Sequence, residues 1–145
     1  MGFMDSINIS ASALTAQSLR MDVIAENIAN AQTTRTANGQ PYQRKYVTFQ
    51  QKEASSFSEI FRNTIGKNFG KGVQVSSIGT DDSPFKLVHD PSHPDADENG
   101  YVRMPNVDTT HEMIDMISAT RSYEANVTAI NAFKNMALKA LEIGK

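Results

Sequence analysis

Asp95, Asp97, Asn99 and Gly100 stand at the spacing of the first, third, fifth and sixth positions of an EF-hand loop, where alternating oxygens could hold calcium. The twelfth position, which should supply a bidentate Glu, is Asn106, and no helical pattern precedes Asp95. A solvated turn, bent at Gly100, accounts for the run better than a metal does. Gly66-Lys67-Asn68-Phe69-Gly70-Lys71-Gly72 has the content of a phosphate loop. Only three residues separate its first two glycines where the motif needs four, and Gly72 replaces the Ser or Thr after the lysine. A basic loop is the plainer reading. His111 and Asp115 lie one helical turn apart like the start of a zinc-protease helix, but the second His of that motif is Asp115 itself. His89 and His93 fall in or beside the acidic run, and no Gly-x-Ser-x-Gly elbow exists. Cysteine is absent, which removes disulfides, thiolate nucleophiles and Cys-based zinc sites. These residues assign no catalytic group, cofactor or metal, and the chain reads as a non-enzyme.

The elements around them are more informative. Pro occurs only at positions 41, 84, 91, 94 and 105; no Gly interrupts 3–38, and neither Gly nor Pro interrupts 106–143. A Gly costs a helix about 1 kcal/mol and a Pro about 3, so two long breaker-free ends predict two long helices. In the first, Ile7, Ala11, Leu14, Ser18, Met21, Ala25 and Ile28 recur at steps of four and three, a coiled-coil stripe rich in small residues. Ile9, Ala13, Ala16, Val23 and Ile24 form a second strip off that stripe. In the last segment, Met113, Met116, Thr120, Tyr123, Val127, Ile130, Ala137 and Leu141 repeat the heptad spacing, with Phe133, Met136, Ala140 and Ile143 beside it. Thr109 followed by Glu112 reads as a capping box opening this helix. At about 1.5 Å per residue such a helix would run on the order of 50 Å, too long for a compact domain of this chain length.

Between the helices the pattern favours strands. Tyr42 to Phe49, Val73 to Ser76, Phe85 to Val88 and Tyr101 to Met104 are β-prone, and Phe57, Ile60, Phe61 and Ile65 suggest a short helix. Asn38-Gly39 marks a turn. The expected fold is therefore α+β and mainly α. Residues 4–34 and 106–143 form long terminal helices, paired antiparallel, around a β-rich insert over 35–105. Full burial of a Leu or Met contributes roughly 1.5–3 kcal/mol, whereas ordering each residue's backbone costs about 1–2. An Ala- and Ser-rich first helix cannot offset that cost against one partner alone. The stripes thus predict burial against several neighbours, with Ile7, Leu14, Met21, Ile28, Met113, Met116, Tyr123, Val127, Ile130 and Leu141 as subunit-interface residues.

A net charge of −2 gives no general attraction to nucleic acid, although six of the sixteen acids crowd into positions 81–98. No apolar run of about 18 residues offers a membrane span, and polar residues from Asp5 to Ser12 break up any signal-like apolar region.

The run Asn27-Ile28-Ala29-Asn30-Ala31-Gln32-Thr33-Thr34-Arg35-Thr36 resembles the N-terminal motif of the flagellar axial (rod) protein family. Asp81-Asp82-Ser83-Pro84-Phe85, Asp90-Pro91, His93-Pro94-Asp95-Ala96-Asp97, Gly100-Tyr101-Val102 and Pro105-Asn106-Val107 resemble the central signature of that family's proximal rod members. Glu112-Met113, Met116-Ile117, Ala119, Arg121, Tyr123, Ala125-Asn126-Val127 and Asn131 continue it, while 50–71 match nothing in it. The resemblance implies a structural subunit of the flagellar basal-body rod, with Asn27, Asn30, Thr33 and Thr34 as its axial-family motif. It also implies terminal helices stacked around a hollow axis and an insert facing outward. Implied partners are further copies of the chain, the rod proteins FlgB, FlgF and FliE, and the flagellar type III export apparatus. The implied location is the periplasmic rod, reached without a cleaved leader. A calcium- or ligand-binding module on the acidic loop and a discrete helical adaptor are the alternatives the residues leave open.

Overall fold

Two helices dominate the computed structural model of the chain, which describes residues 3–52, 61 and 72–143. Helix α1 spans Phe3–Ala29 and helix α2 spans Thr109–Ile143. Asp5 in the first turn of α1 complements the positive end of its dipole. The helix stops at Ala29, short of the expected boundary at 34. The Asn30 side chain takes the Glu26 carbonyl (2.9 Å), and Ala31 N–H tightens back to Ile28 O (3.2 Å). Asp108, not Thr109, caps α2. Its Oδ1 accepts the N–H groups of Thr110 (3.0 Å) and His111 (3.4 Å), and its carbonyl accepts Glu112 N–H (2.9 Å). A carboxylate at a helix N-terminus gains from the dipole as well as from the hydrogen bonds. The expected capping box is therefore corrected by one residue, and Glu112 is released from capping.

Late residues of α1 meet early residues of α2, so the pair is antiparallel. Asn27 reaches Glu112 (2.9 Å), Arg20 reaches Asp115 (3.2 Å), and Met21 Sδ meets Thr120 Oγ1 (3.6 Å). Buried residues of α1 are Ser10, Ala16, Val23, Ile24 and Asn27, facing a fully buried Ala119 on α2. The inner seam thus follows the second apolar strip of α1, and its small residues let the axes approach closely.

The insert consists of two hairpin-like sheets. Strand β1 (Lys45–Gln51) pairs antiparallel with β2 (Val73–Thr80) through a register shift at Thr48/Phe49. Strand β3 (Lys86–His89) pairs antiparallel with β4 (Tyr101–Met104). The first strand begins at Lys45 rather than Tyr42, because Tyr42 turns into the protein interior. Of the short helix expected over 57–65, only Phe61 lies among the described residues, and it is helical. The glycine-rich loop likewise lies outside them except for Gly72. The expected turn at Asn38-Gly39 is present, with Gly39 at φ +74° and its N–H bonded to Thr36 O (2.8 Å).

Strand β2 docks on α1 through a close approach at Ser12. Ser12 Oγ accepts Val73 N–H (3.1 Å) and donates to Ile9 O (2.7 Å), while the preceding Gly72 sits at φ +82° with no room for a Cβ beside Ser12. Replacing Gly72 with Ala therefore meets both backbone strain and a clash, and should cost about 1–3 kcal/mol. Gly39→Ala faces open space and suffers the strain alone, so its loss should be smaller. Urea unfolding of the two variants side by side checks the order.

Candidate functional site

Asn27 is 1% exposed, yet every hydrogen-bonding position of its amide is used. Nδ2 donates to Lys45 O (2.8 Å) and to Glu112 Oε2 (2.9 Å), and Oδ1 accepts Lys45 N–H (2.9 Å) and the Tyr42 hydroxyl (2.9 Å). Binding both the N–H and the carbonyl of Lys45, the side chain acts as one extra rung on β1. It joins the end of α1 to the start of the insert.

Glu112 completes the joint from α2. It is fully buried, with Oε2 on Asn27 and Oε1 accepting Arg44 Nε (2.6 Å). Arg44 also approaches Asp115 (3.6 Å), whose other oxygen pairs with Arg20 of α1 (3.2 Å). Two basic and two acidic side chains are thus interleaved across three elements, and both oxygens of the buried carboxylate have hydrogen-bond partners. Arg44 is itself held by its backbone. Its N–H donates to Asn106 Oδ1 (2.8 Å), its carbonyl accepts Asp81 N–H (2.8 Å), and Asn106 Nδ2 donates to Asp81 O (2.8 Å) and Ser83 O (3.2 Å). Burial pushes the Tyr42 phenol up to about 12, aided by the negative charges of Glu26 and Glu112. Lys45 pairs with Glu26 and lies 5.8 Å from the centre of the Tyr42 ring.

Beside the joint, the remaining motif residues make a corner. Thr33 Oγ1 donates to Asn30 Oδ1 (3.2 Å), and Thr33 O accepts Tyr42 N–H (3.1 Å). Thr34 Oγ1 donates to Asp95 Oδ2 (2.7 Å), and Arg35 approaches the other oxygen (4.0 Å). The acidic loop therefore docks on the corner through Asp95. Its other carboxylates close turns: Asp97 Oδ1 accepts Asn99 N–H (2.9 Å) and Tyr101 N–H (2.8 Å), and Asp90 accepts the N–H and hydroxyl of Ser92. The bonds from Ser92 hold the Asp90 carboxyl below the usual carboxylate range. His93 Nδ1 accepts Asp95 N–H (3.1 Å), His89 packs edge-on against Tyr101, and His111 is exposed on α2. Among the described residues no three metal-binding side chains converge.

The stripe residues lie outside this joint. Ile7, Leu14, Met21 and Ile28 on α1, and Met116, Tyr123, Val127 and Ile130 on α2, are half-buried; Met113 and Leu141 are exposed. Of the motif residues, Asn27 enters the joint, and Asn30, Thr33 and Thr34 build the corner. Arg20, Tyr42, Arg44, Asn106, Glu112 and Asp115 were not expected as a unit. Asn106 and Glu112 fall within the signature strings, but nothing in those strings pairs them with Asn27 or Arg44, and the capping pattern explains Glu112 equally well.

Comparison with known proteins agrees with this geometry. Residues 7–35 match the family described as flagella basal body rod protein, and residues 98–143 match the flagellar basal body rod FlgEFG protein C-terminal family. The two matches cover most of α1, all of α2 and, within the joint, Arg20, Asn27, Asn106, Glu112 and Asp115, while Tyr42, Arg44 and Lys45 lie between them. Flagellar basal-body rod protein FlgC of Bacillus subtilis is 57% identical over 146 residues, covering 97% of each chain. The FlgC of Borreliella burgdorferi is 46% identical over 99% of this chain and 98% of its own. That of Salmonella typhimurium is 43% identical over the full length of both. The chain belongs to the FlgC family of flagellar basal-body rod proteins. FlgC is a structural rod component and not an enzyme. In FlgC terms, the joint ties the helix pair to the insert, and residues on all three contribute to it.

Glu112→Ala would leave one N–H of the buried Asn27 amide without its acceptor, while the partly exposed Arg44 keeps Asp115, and should cost about 1–3 kcal/mol, with Glu112→Gln costing less because it keeps the shape. Denaturant melts give both values. For Tyr42, a folded pKa of about 12 against an ordinary value of 10 means the folded state keeps its proton longer. This contribution is present below pH 10 and is lost as pH rises toward 12. Stability should fall across that window, and less steeply in Tyr42→Phe, as pH-dependent unfolding would show.

Proposed function

We propose that the chain builds the flagellar rod by stacking its helix pair, residues 4–34 and 106–143, into the wall of a hollow shaft. The insert over 35–105 is carried on the outer side. One observation supports this reading above the others: the joint is saturated within the chain, while the heptad stripes of both helices remain half-buried or exposed. Apolar stripes left open beside a rigid, internally satisfied hinge suit burial against neighbouring helices. Contacts between unlike surfaces, repeated without closure, generate a helical tube.

In this reading Ile7, Leu14, Met21 and Ile28 pack against neighbours on one side, and Met113, Met116, Tyr123, Val127, Ile130 and Leu141 on the other. The joint passes torque from helices to insert without a change of angle, because every polar group in it has a partner. Neighbours are further copies and the rod proteins FlgB, FlgF and FliE, in the proximal rod within the periplasm. Delivery runs through the flagellar type III export apparatus. Among the described residues no helix is long and apolar enough to cross a membrane.

Photocrosslinking amino acids placed at Met21 and at Tyr123 in motile cells test the assignment. Adducts to rod proteins from both positions are expected. If neither position captures a rod protein, the stripes are not the assembly surface and the reading fails.

A further inference from the structure

The acidic loop crosses a gap to reach the corner. A cleft of about 510 Å³ separates Thr34, Arg35 and Pro41 of the corner from Asp95, Ala96 and Arg103 on the opposite side. Among the described residues, Asp95 carries both polar bonds across it, to the Thr34 hydroxyl (2.7 Å) and to the Arg35 guanidinium (4.0 Å). The loop's own anchors lie elsewhere. Asp90 N–H donates to Gly100 O (2.9 Å) and Asp97 N–H to Tyr101 O (2.9 Å), so both ends are fixed to the β3–β4 hairpin and not to the corner. Residues 91–96 thus form a flap hinged at two points and held down through one side chain.

Asp95 is in turn set by His93. The half-buried ring accepts Asp95 N–H at Nδ1 (3.1 Å), which requires the neutral tautomer with its proton on Nε2. Protonation places a second N–H at Nδ1, and two donors then face each other. The charged and titratable groups of the loop and the cleft walls are Asp90, Asp95, Asp97, Glu98 and His89, with Arg35, Tyr101 and Arg103. Four carboxylates against two guanidiniums do not repel a cation at His93. Asp90, which lies within reach of the His93 charge, is held below the usual carboxylate range by its bonds from Ser92. Ion pairs at such exposed positions contribute little, so the lost backbone bond decides the direction of the effect.

We infer that His93 is a pH switch on this flap. With the ring neutral, Asp95 is held on the corner; with the ring protonated, the flap lifts and the cleft opens. Histidine titrates between about pH 5 and 8, so the closed form belongs to the upper part of that window. Losing one neutral hydrogen bond moves an equilibrium about fivefold, which is the change expected in the open-to-closed ratio. Opening frees Thr34 and Arg35, both in the run that ends the first helix. The inference rests on the loop and the corner alone and does not depend on the rod reading.

Amide NMR of the full-length chain between pH 8 and pH 5 reads the switch. The Asp95 and Thr34 amides should move on one midpoint with the His93 ring signals. At pH 8, hydrogen exchange at Asp95 should be about fivefold faster in His93→Ala than in the unsubstituted chain, and at pH 5 the two should agree. The Thr34 amide of His93→Ala should stay at its acid position throughout, while unchanged Asn27 side-chain signals report an intact joint. A Thr34 amide that stays still while His93 titrates confines the effect to the loop and overturns the inference. A Thr34 response that persists in His93→Ala overturns it too, because it then belongs to His89 or to a carboxylate.

Discussion

A carboxyl group taken wholly out of water needs partners for both oxygens, and Glu112 finds them on two different elements. Asn27 comes from the end of α1 and Arg44 from the approach to β1. Neither partner can be removed without leaving a polar group unpaired in the interior. The crossing of the helices, the start of β1 and the position of the insert are therefore set together. Asn27 carries the same constraint further: its amide is saturated only while Lys45 and Tyr42 are in place. Specificity of this kind differs from apolar packing, which tolerates sliding because it has no direction.

That division of labour suits a subunit of a shaft. The inner seam of the helix pair combines small residues, Ala16 and Ala119, that allow close approach with the buried Val23 and Ile24. Further large apolar side chains lie half-buried or exposed on the flanks of both helices. The acidic loop belongs to the same design. Its concentration of charge suggested a cation site, but Asp95 is spent on Thr34 and Arg35, and Asp90 and Asp97 on closing turns.

Several elements were legible before any tertiary contact was known. Strand β4 occupies Tyr101–Met104 as its alternation predicts, and the Asn38-Gly39 turn adopts the positive φ that its glycine allows. The misreadings share one cause. Thr109 with Glu112 satisfies the local rule for a capping box, and Tyr42 satisfies the local rule for a strand. In each case a partner far along the chain offers more than the local rule does. Glu112 lies 85 residues from Asn27 and 68 from Arg44, and Asp108 takes the cap in its place. Tyr42 leaves the strand to place its hydroxyl on Asn27.

The sequence by itself determined the two long helices, because helix propensity and the absence of breakers act residue by residue. It determined the β character of the insert through local alternation and turn chemistry, and the family through motifs that survive as strings. Which strip of α1 faces inward was decided only in three dimensions. Two apolar strips of similar composition are equivalent until a partner helix is placed against one of them. The joint was likewise beyond the reach of any window along the chain. Hydrogen bonding between Asn27, Arg44 and Glu112 has no period and no fixed spacing, so it exists only once the chain has brought them together.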